Sequence, residues 1–303
     1  MRIPNRLALA VALLLEACGP RVGAVAEKDI GQLLQGVRIV ELGEESHGDG
    51  AAFEAKVRLI KILHESYGFD ILAWESGMLD CELWNNQPDP QEGARRAIFQ
   101  IWSNSRQVQP VFDYMASTRN TARPLRLTGF DIQSMTSRPP TATGDAQLDA
   151  RARQNYQAQE FRPKDSLRDY RDVHMGENLL WLAMQRYPKK KIVVWAANFH
   201  VARHVEENYR TMTDVVRATL GPAIYSIGFT AHHGRATAIT LGTAAPDSLE
   251  GRLHTAGIDN AIVSVNGWRP LVAWPLLYQP KRRNWVDHFD AIYFNDEMTP
   301  SVK

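Results

Sequence analysis

Four apolar stretches of the chain each stop on side chains able to hold or move a proton. Val37 to Leu42 runs straight into Gly43-Glu-Glu-Ser-His-Gly48, a turn that carries Glu44 and His47. Phe69 to Trp74 stops at Glu75, Pro124 to Phe130 at Asp131, and Ile192 to Trp195 at a segment holding Asn198 and His200. Carboxylates, an amide and imidazoles brought together suit three chemistries. A histidine can take a proton from water while a carboxylate fixes its tautomer, which is general-base hydrolysis. Two histidines and several carboxylates can close on a divalent ion, although their spacing matches no local metal signature and leaves the ligands unassigned. Serine catalysis fits worst, because there is no Gly-x-Ser-x-Gly turn and Ser46 lies beside His47, not opposite it. Water-activating hydrolysis leads.

For these strand ends to meet, they must share one rim of a sheet. Ala51 to Tyr67 has helical spacing through Phe53, Val57, Ile60 and Leu63, and Gly68 closes it. Residues 76–122 read as helices broken at Pro88 and Pro90, with Trp84, Phe99, Trp102 and Phe112 packing on the sheet, or a subset of them lining a substrate pocket. Ser166 to Tyr187 and Thr213 to Leu220 are further helices. Ala223 to Phe229, Thr237 to Leu241, Asn260 to Val265 and Asp290 to Phe294 are later strands. Thr136 to Gly144 is a Pro/Ser/Thr/Gly-rich loop, and polar residues 145–165 after it are expected to form a mobile flap. Strands alternating with helices predict one three-layer α/β/α domain over 37–303, with a mainly parallel sheet and helical insertions. In such a sheet the carboxyl ends of the strands lie along one edge, where ligands bind.

Composition narrows the classes. A net charge of +1 in 303 residues argues against a nucleic-acid partner, and 44% hydrophobic with 23% charged residues is ordinary for a globular chain. Arg2 and Arg6 precede the apolar run Leu7 to Leu15, followed by Glu-Ala-Cys-Gly, the pattern of a secretory leader too short to span a bilayer. Cleavage after residue 17 would export the chain to the periplasm or cell envelope, with 18–36 as a linker. Leu15-Glu16-Ala17-Cys18 resembles a bacterial lipobox, which would attach the chain to a membrane through a lipid on Cys18. Glu16 departs from that pattern, so plain cleavage stays open beside it. If Cys18 carries the lipid, Cys81 is the one remaining thiol, and its acidic neighbours Asp80 and Glu82 point to a packed cysteine and not a nucleophile.

The motifs taken in order resemble the erythromycin esterase-like family. Leu42-Gly-Glu-Glu-Ser-His-Gly48 is similar to its Gly-Glu-x-Thr-His-Gly motif, and Lys56-Val-Arg58 to its basic helix. Gly129-Phe-Asp-Ile-Gln133 resembles its Gly-x-Asp-x-Gln segment. Arg171-Asp172 with Met175 and Asn178, Val194 to Ala202, and Phe289 to Pro300 match later signatures. The resemblance implies hydrolysis of an ester or lactone in a small-molecule substrate, with macrolide opening, an antibiotic-resistance activity, as the named case. It implies His47 as general base, Glu44 as its charge partner, Lys56 at a basic active-site position and His200 as a second histidine. Glu75 and Asp131 are read as orienting water or histidine, and Asn198 or His200 as polarising the carbonyl. Asp131, Asn198 and Arg58 are the substrate-binding candidates. No cofactor is expected to be required, a divalent metal stays open, and oligomeric state is not legible. The chain has Ala51 and Ala197 where the family often carries glutamate and histidine, which leaves the substrate open. A related branch resembles haem-binding lipoproteins, so the alternative is a catalytically degenerate envelope protein binding haem or metal.

Overall fold

A computed structural model describes residues 24–135, 139–164 and 167–303. The expected leader and Cys18 lie outside the described residues. In chain order the strands are β1 (Ala24–Val25), β2 (Ile39–Leu42), β3 (Phe69–Gly77), β4 (Arg126–Asp131), β5 (Lys191–Trp195), β6 (Ile224–Arg235), β7 (Thr240–Leu241), β8 (Asn260–Ser264), β9 (Leu271–Ala273), β10 (Lys281–Arg283) and β11 (Ala291–Met298). One sheet runs β1-β8-β11-β6-β2-β5-β3-β4, with β7 attached to β6. From β11 to β4 every pairing is parallel. The antiparallel additions are β8 and β1 at one edge and β7 beside β6.

Every residue of β2 and β3 is buried, as a parallel strand covered on both faces requires. Alternation sorts the side chains into two layers. Val40, Leu42, Leu72, Trp74, Val193 and Trp195 meet the Gly50–Tyr67 helix and the helices between 78 and 118. Ile39, Ile71, Ala73, Ile192 and Val194 meet the Tyr170–Trp181 and Met212–Leu220 helices on the opposite face. The α/β/α arrangement with a mainly parallel sheet is the one expected from the chain. Gly68 ends the first long helix at φ 76°, a left-handed value that other residues adopt only at a cost.

Residues 24–34 are packed against the domain: β1 pairs with β8, and Ile30 in the Glu27–Leu33 turn is fully buried. The 145–165 segment holds a helix, Ala146–Glu160, where a flap was expected. Asp145 caps it by accepting from the N–H groups of Gln147 and Leu148. Its apolar face is thin, with Leu148 and Ala152 buried beside Asp149 and Asn155, so no clear periodicity reached the sequence. The Tyr170–Trp181 helix continues into a wider π turn, Leu182–Arg186. The Leu249–Thr255 helix and the β9–β10 hairpin were not anticipated. Cys81 is buried, its thiol directed at the Ala97 carbonyl, and burial with Asp80 and Glu82 pushes its pKa well up. Among the described residues, no helix is long and apolar enough to cross a membrane.

Candidate active site

The turn after β2 is held from three sides. Asp49 Oδ2 accepts from the N–H groups of Glu45 and Ser46, 3.0 Å each, which closes the loop on itself. Asn198 crosses so near Gly43 that a Cβ there would lie 2.0 Å from Asn198 Oδ1. The N–H of Asn198 donates to the Glu44 carbonyl at 2.6 Å, tying the ends of β2 and β5 together.

Glu44 then points into the core and is fully buried. Its Oε1 accepts from Trp102 Nε1 at 2.7 Å and pairs with His47 Nδ1 at 3.0 Å. Its Oε2 accepts from the ammonium of Lys56, which rises from the Gly50–Tyr67 helix. Lys56 is also fully buried, donates to the Ala196 carbonyl at 3.1 Å and sits 4.5 Å over the Trp195 ring. Burial pulls the Lys56 pKa down, against the opposing pull of Glu44. A carboxylate with this many donors accepts from His47 Nδ1–H, so Nε2 keeps its lone pair. The His47 side chain is 40% exposed and stands edge-on to Trp102, ring centres 4.7 Å apart. Burial lowers its pKa, but the hydrogen bond and charge of Glu44, with Glu75 adding, raise it on balance.

A second cluster gathers at the ends of β3, β4 and β5. Glu75 Oε1 accepts from Arg171 Nη2 at 2.8 Å and lies 3.3 Å from His200 Nε2, while Oε2 accepts from the Ala197 N–H at 3.0 Å. Arg171 grips Asp131 through Nε and Nη2, a two-pronged pairing that suits a planar guanidinium. His200 Nδ1 meets Asp172 Oδ1 at 2.6 Å, and Asp172 also accepts from the Tyr209 hydroxyl. Burial would lower the His200 pKa, but Glu75 and Asp172 on either side push it up to about 10. Burial likewise opposes ionisation of Glu75, yet the charges of His200, Arg171 and His47 hold its carboxyl well below the usual range. Asp131 goes the other way, raised by burial despite Arg171. His200 Nδ1 is committed to Asp172, while Nε2 lies 3.3 Å from both Glu75 Oε1 and Arg171 Nη1.

His47 stands between two openings. A cleft of about 940 Å³ is walled by His47, Ala197, Phe199, His200, Ile239 and Leu277. A smaller one, about 460 Å³, is lined by His47, Glu75, Trp102, Gln133 and Arg171. The walls of the larger one are mostly apolar, with the imidazole and a few polar groups at its base.

Glu44, His47 and Lys56 are thus brought together, and Glu75 and His200 meet in the adjoining cluster. Three expectations change. Asn198 Nδ2 donates to the Phe229 and Pro275 carbonyls and Oδ1 accepts from the Phe229 N–H, so its amide has no hydrogen left to polarise a substrate. Asp131 lies behind Arg171 and lines neither opening. Arg58 faces away on the first helix, paired with Glu27 and Tyr293, beside a separate groove with Lys61 and Arg106. His200 and His204 stand four residues apart, but the helix between them stops at Val201, and His204 is an exposed left-handed residue near Asp214. Ala197 supplies a methyl group to the cleft and its N–H to Glu75; Ala51 is the second residue of the first helix, with its N–H 3.4 Å from the Thr299 carbonyl.

Trp102, Arg171 and Asp172 were not singled out as site residues. One signal was available for the latter two. Strand-end acids gathered on one rim need a cation, and an Arg-Asp pair opens the long helix that must pack beside them.

A family model described as Erythromycin esterase matches residues 138–298. The "Putative hydrolase YbfO" of Bacillus subtilis (strain 168) is 28% identical over 386 aligned positions, covering 89% of this chain and 86% of that one. Among solved structures, a Bacillus cereus protein superposes with a TM-score of 0.75 at 16% identity, covering 98% of this chain and 99% of that one. A succinoglycan biosynthesis protein gives 0.72 at 14% identity, over 98% and 97%. A mutant of the erythromycin esterase EreC in its open conformation gives 0.70 at 15% identity, over 90% and 94%.

Proposed function

Because the chain belongs to the erythromycin esterase family, we propose that it is a hydrolase of an ester- or lactone-type bond in which His47 activates water. One observation carries this reading. An accessible imidazole lines the cleft while its Nδ1 is fastened to a buried carboxylate that Lys56 and Trp102 hold in place. His47 Nε2 takes a proton as the water oxygen attacks the acyl carbon. It returns that proton to the alkoxide oxygen when the carbon–oxygen bond breaks. Glu44 stabilises the imidazolium formed between the two steps. The guanidinium of Arg171 lines the smaller opening with His47, which makes it the candidate to stabilise negative charge on the carbonyl oxygen. The apolar cleft wall suits a substrate with a substantial hydrocarbon body, and the expected leader puts the reaction in the cell envelope.

His47→Ala tests the assignment with an activated ester such as a nitrophenyl acylate. Loss of a general base lowers turnover by about 10²–10⁴-fold. Thermal unfolding should hardly change, because the side chain is 40% exposed. Full activity in this variant would overturn the role given to His47.

A further inference from the structure

Three of the nine histidines converge with a carboxylate away from both openings. His232 ends the buried part of β6 and half-buried His233 follows it, Asp296 lies on the adjacent strand β11, and His254 comes from the Leu249–Thr255 helix. The Nδ1 atoms of His232 and His233 are 3.1 Å apart, and His232 Nδ1 is 3.9 Å from Asp296 Oδ1. His254 Nδ1 meets the same carboxylate oxygen at 2.6 Å, and its ring stacks on His232 with centres 4.0 Å apart. None of the four lines the His47 openings. We propose that His232, His233 and Asp296, with His254 orienting the carboxylate or joining as a fourth ligand, bind a divalent transition-metal ion of the zinc class.

Geometry carries the proposal. Ligand atoms of His232, His233 and Asp296 all lie within 4.8 Å of one another. An ion held about 2.0–2.2 Å from each donor puts tetrahedral donors roughly 3.3–3.6 Å apart. The separations of 3.1 and 3.9 Å bracket that value, so small side-chain rotations close the site. Adjacent residues of a strand ordinarily point to opposite faces. Here it is the nitrogens nearest the backbone that approach, the pair such neighbours can bring together.

The donor set settles the class. Imidazole nitrogens with one carboxylate favour zinc, copper, nickel or cobalt over magnesium or calcium, which prefer oxygen. Among the described residues, Asp296 has no lysine or arginine at ion-pair distance, and its partners are His232 and His254. The His254–Asp296 contact has the form of the histidine–carboxylate pairs that orient metal ligands. His232 is nearly buried, whereas the side chains of His254 and Asp296 are 48% and 25% exposed, so an ion has a route in.

Bound metal would clamp β6 to β11. The chain beyond β6 supplies Thr237, Ala238 and Ile239 to the His47 cleft, and the chain beyond β11 supplies Ser301 and Lys303. The clamp would therefore steady the cleft wall without touching the reacting groups. The proposal is independent of the hydrolytic reading.

The test uses tag-free protein stripped with a chelator, dialysed against micromolar ZnCl₂ and assayed for bound zinc and for thermal unfolding. One zinc per chain and a raised Tm are expected. His233→Ala and Asp296→Asn, each checked for folding by circular dichroism, should weaken binding about 10- to 100-fold or more and abolish the rise. His47→Ala should bind zinc as the parent does. No retained zinc, binding unchanged in both site variants, or equal loss in His47→Ala would overturn the proposal.

Discussion

Lys56→Met is the sharpest probe of the buried charge network. The ammonium is fully buried, bonded only to Glu44 and the Ala196 carbonyl among the described residues, and lies over Trp195. Methionine keeps much of the stem and its packing while deleting the charge. At about 4 Å and an effective dielectric constant near 20, the pair attraction is roughly 4 kcal/mol. Removing one member of a buried pair costs about 3–5 kcal/mol, because the carboxylate left behind has lost its counter-ion. Trp102 and His47 still donate to Glu44, which argues for the lower half of that range. At roughly 2–4 °C per kcal/mol for a large domain, Tm should fall by about 6–16 °C. The variant Glu44→Gln/Lys56→Met should be more stable than the two single losses predict, by about 2 kcal/mol, since neither ion is then stranded. Urea unfolding of the four proteins measures the coupling. A Lys56→Met protein within about 0.5 kcal/mol of the parent, or strictly additive losses, would refute a buried ion pair at the heart of the site.

Other expectations follow from the same contacts. Glu44→Gln removes the charge that raises the His47 pKa, so the acid limb of kcat/KM should move to lower pH. The rate should fall as well; an unmoved limb would sever His47 from Glu44. His200 titrates near 10 in the fold and near 6.5 when unfolded, so it adds stability that is complete below about 6.5 and lost as pH rises through 10. His200→Gln should remove that component from a Tm-versus-pH series, and an unchanged series would show that the cation is absent. Asn198→Ala strips three hydrogen bonds to backbone groups and should cost about 2–4 kcal/mol by denaturant titration. Its folded fraction should keep a KM near the parent's, whereas a large KM increase at full stability would restore Asn198 as a substrate contact.

Much of the architecture was legible because parallel strands buried on both faces are written as near-continuous apolar runs, interrupted here only by Arg38, Glu41 and Asp70. Val37 to Leu42, Phe69 to Trp74 and Ile192 to Trp195 needed only that signal. The Ala146–Glu160 helix escaped because a helix with a thin apolar face and an Asp145 cap reads as polar linker. The antiparallel edge of β8 and β1 escaped because strand direction depends on pairing partners that lie far off in the chain.

The site divides in the same way. Glu44, His47, Glu75 and His200 could be picked out one by one, since each follows a strand and strand ends share a rim. Their division of labour could not. Glu44 and Glu75 are the same residue type, yet the first faces a lysine, an indole and an exposed imidazole, and the second an arginine, a largely buried imidazole and a backbone N–H. Asn198 and Arg58 looked equally suited to substrate until packing turned one into the core and the other onto the far side of its helix. His232, His233, Asp296 and His254 form a group only because β6, β11 and a helix are adjacent in space. Residue type and local order select the groups able to do chemistry; burial and three-dimensional neighbours set their charge, direction and access.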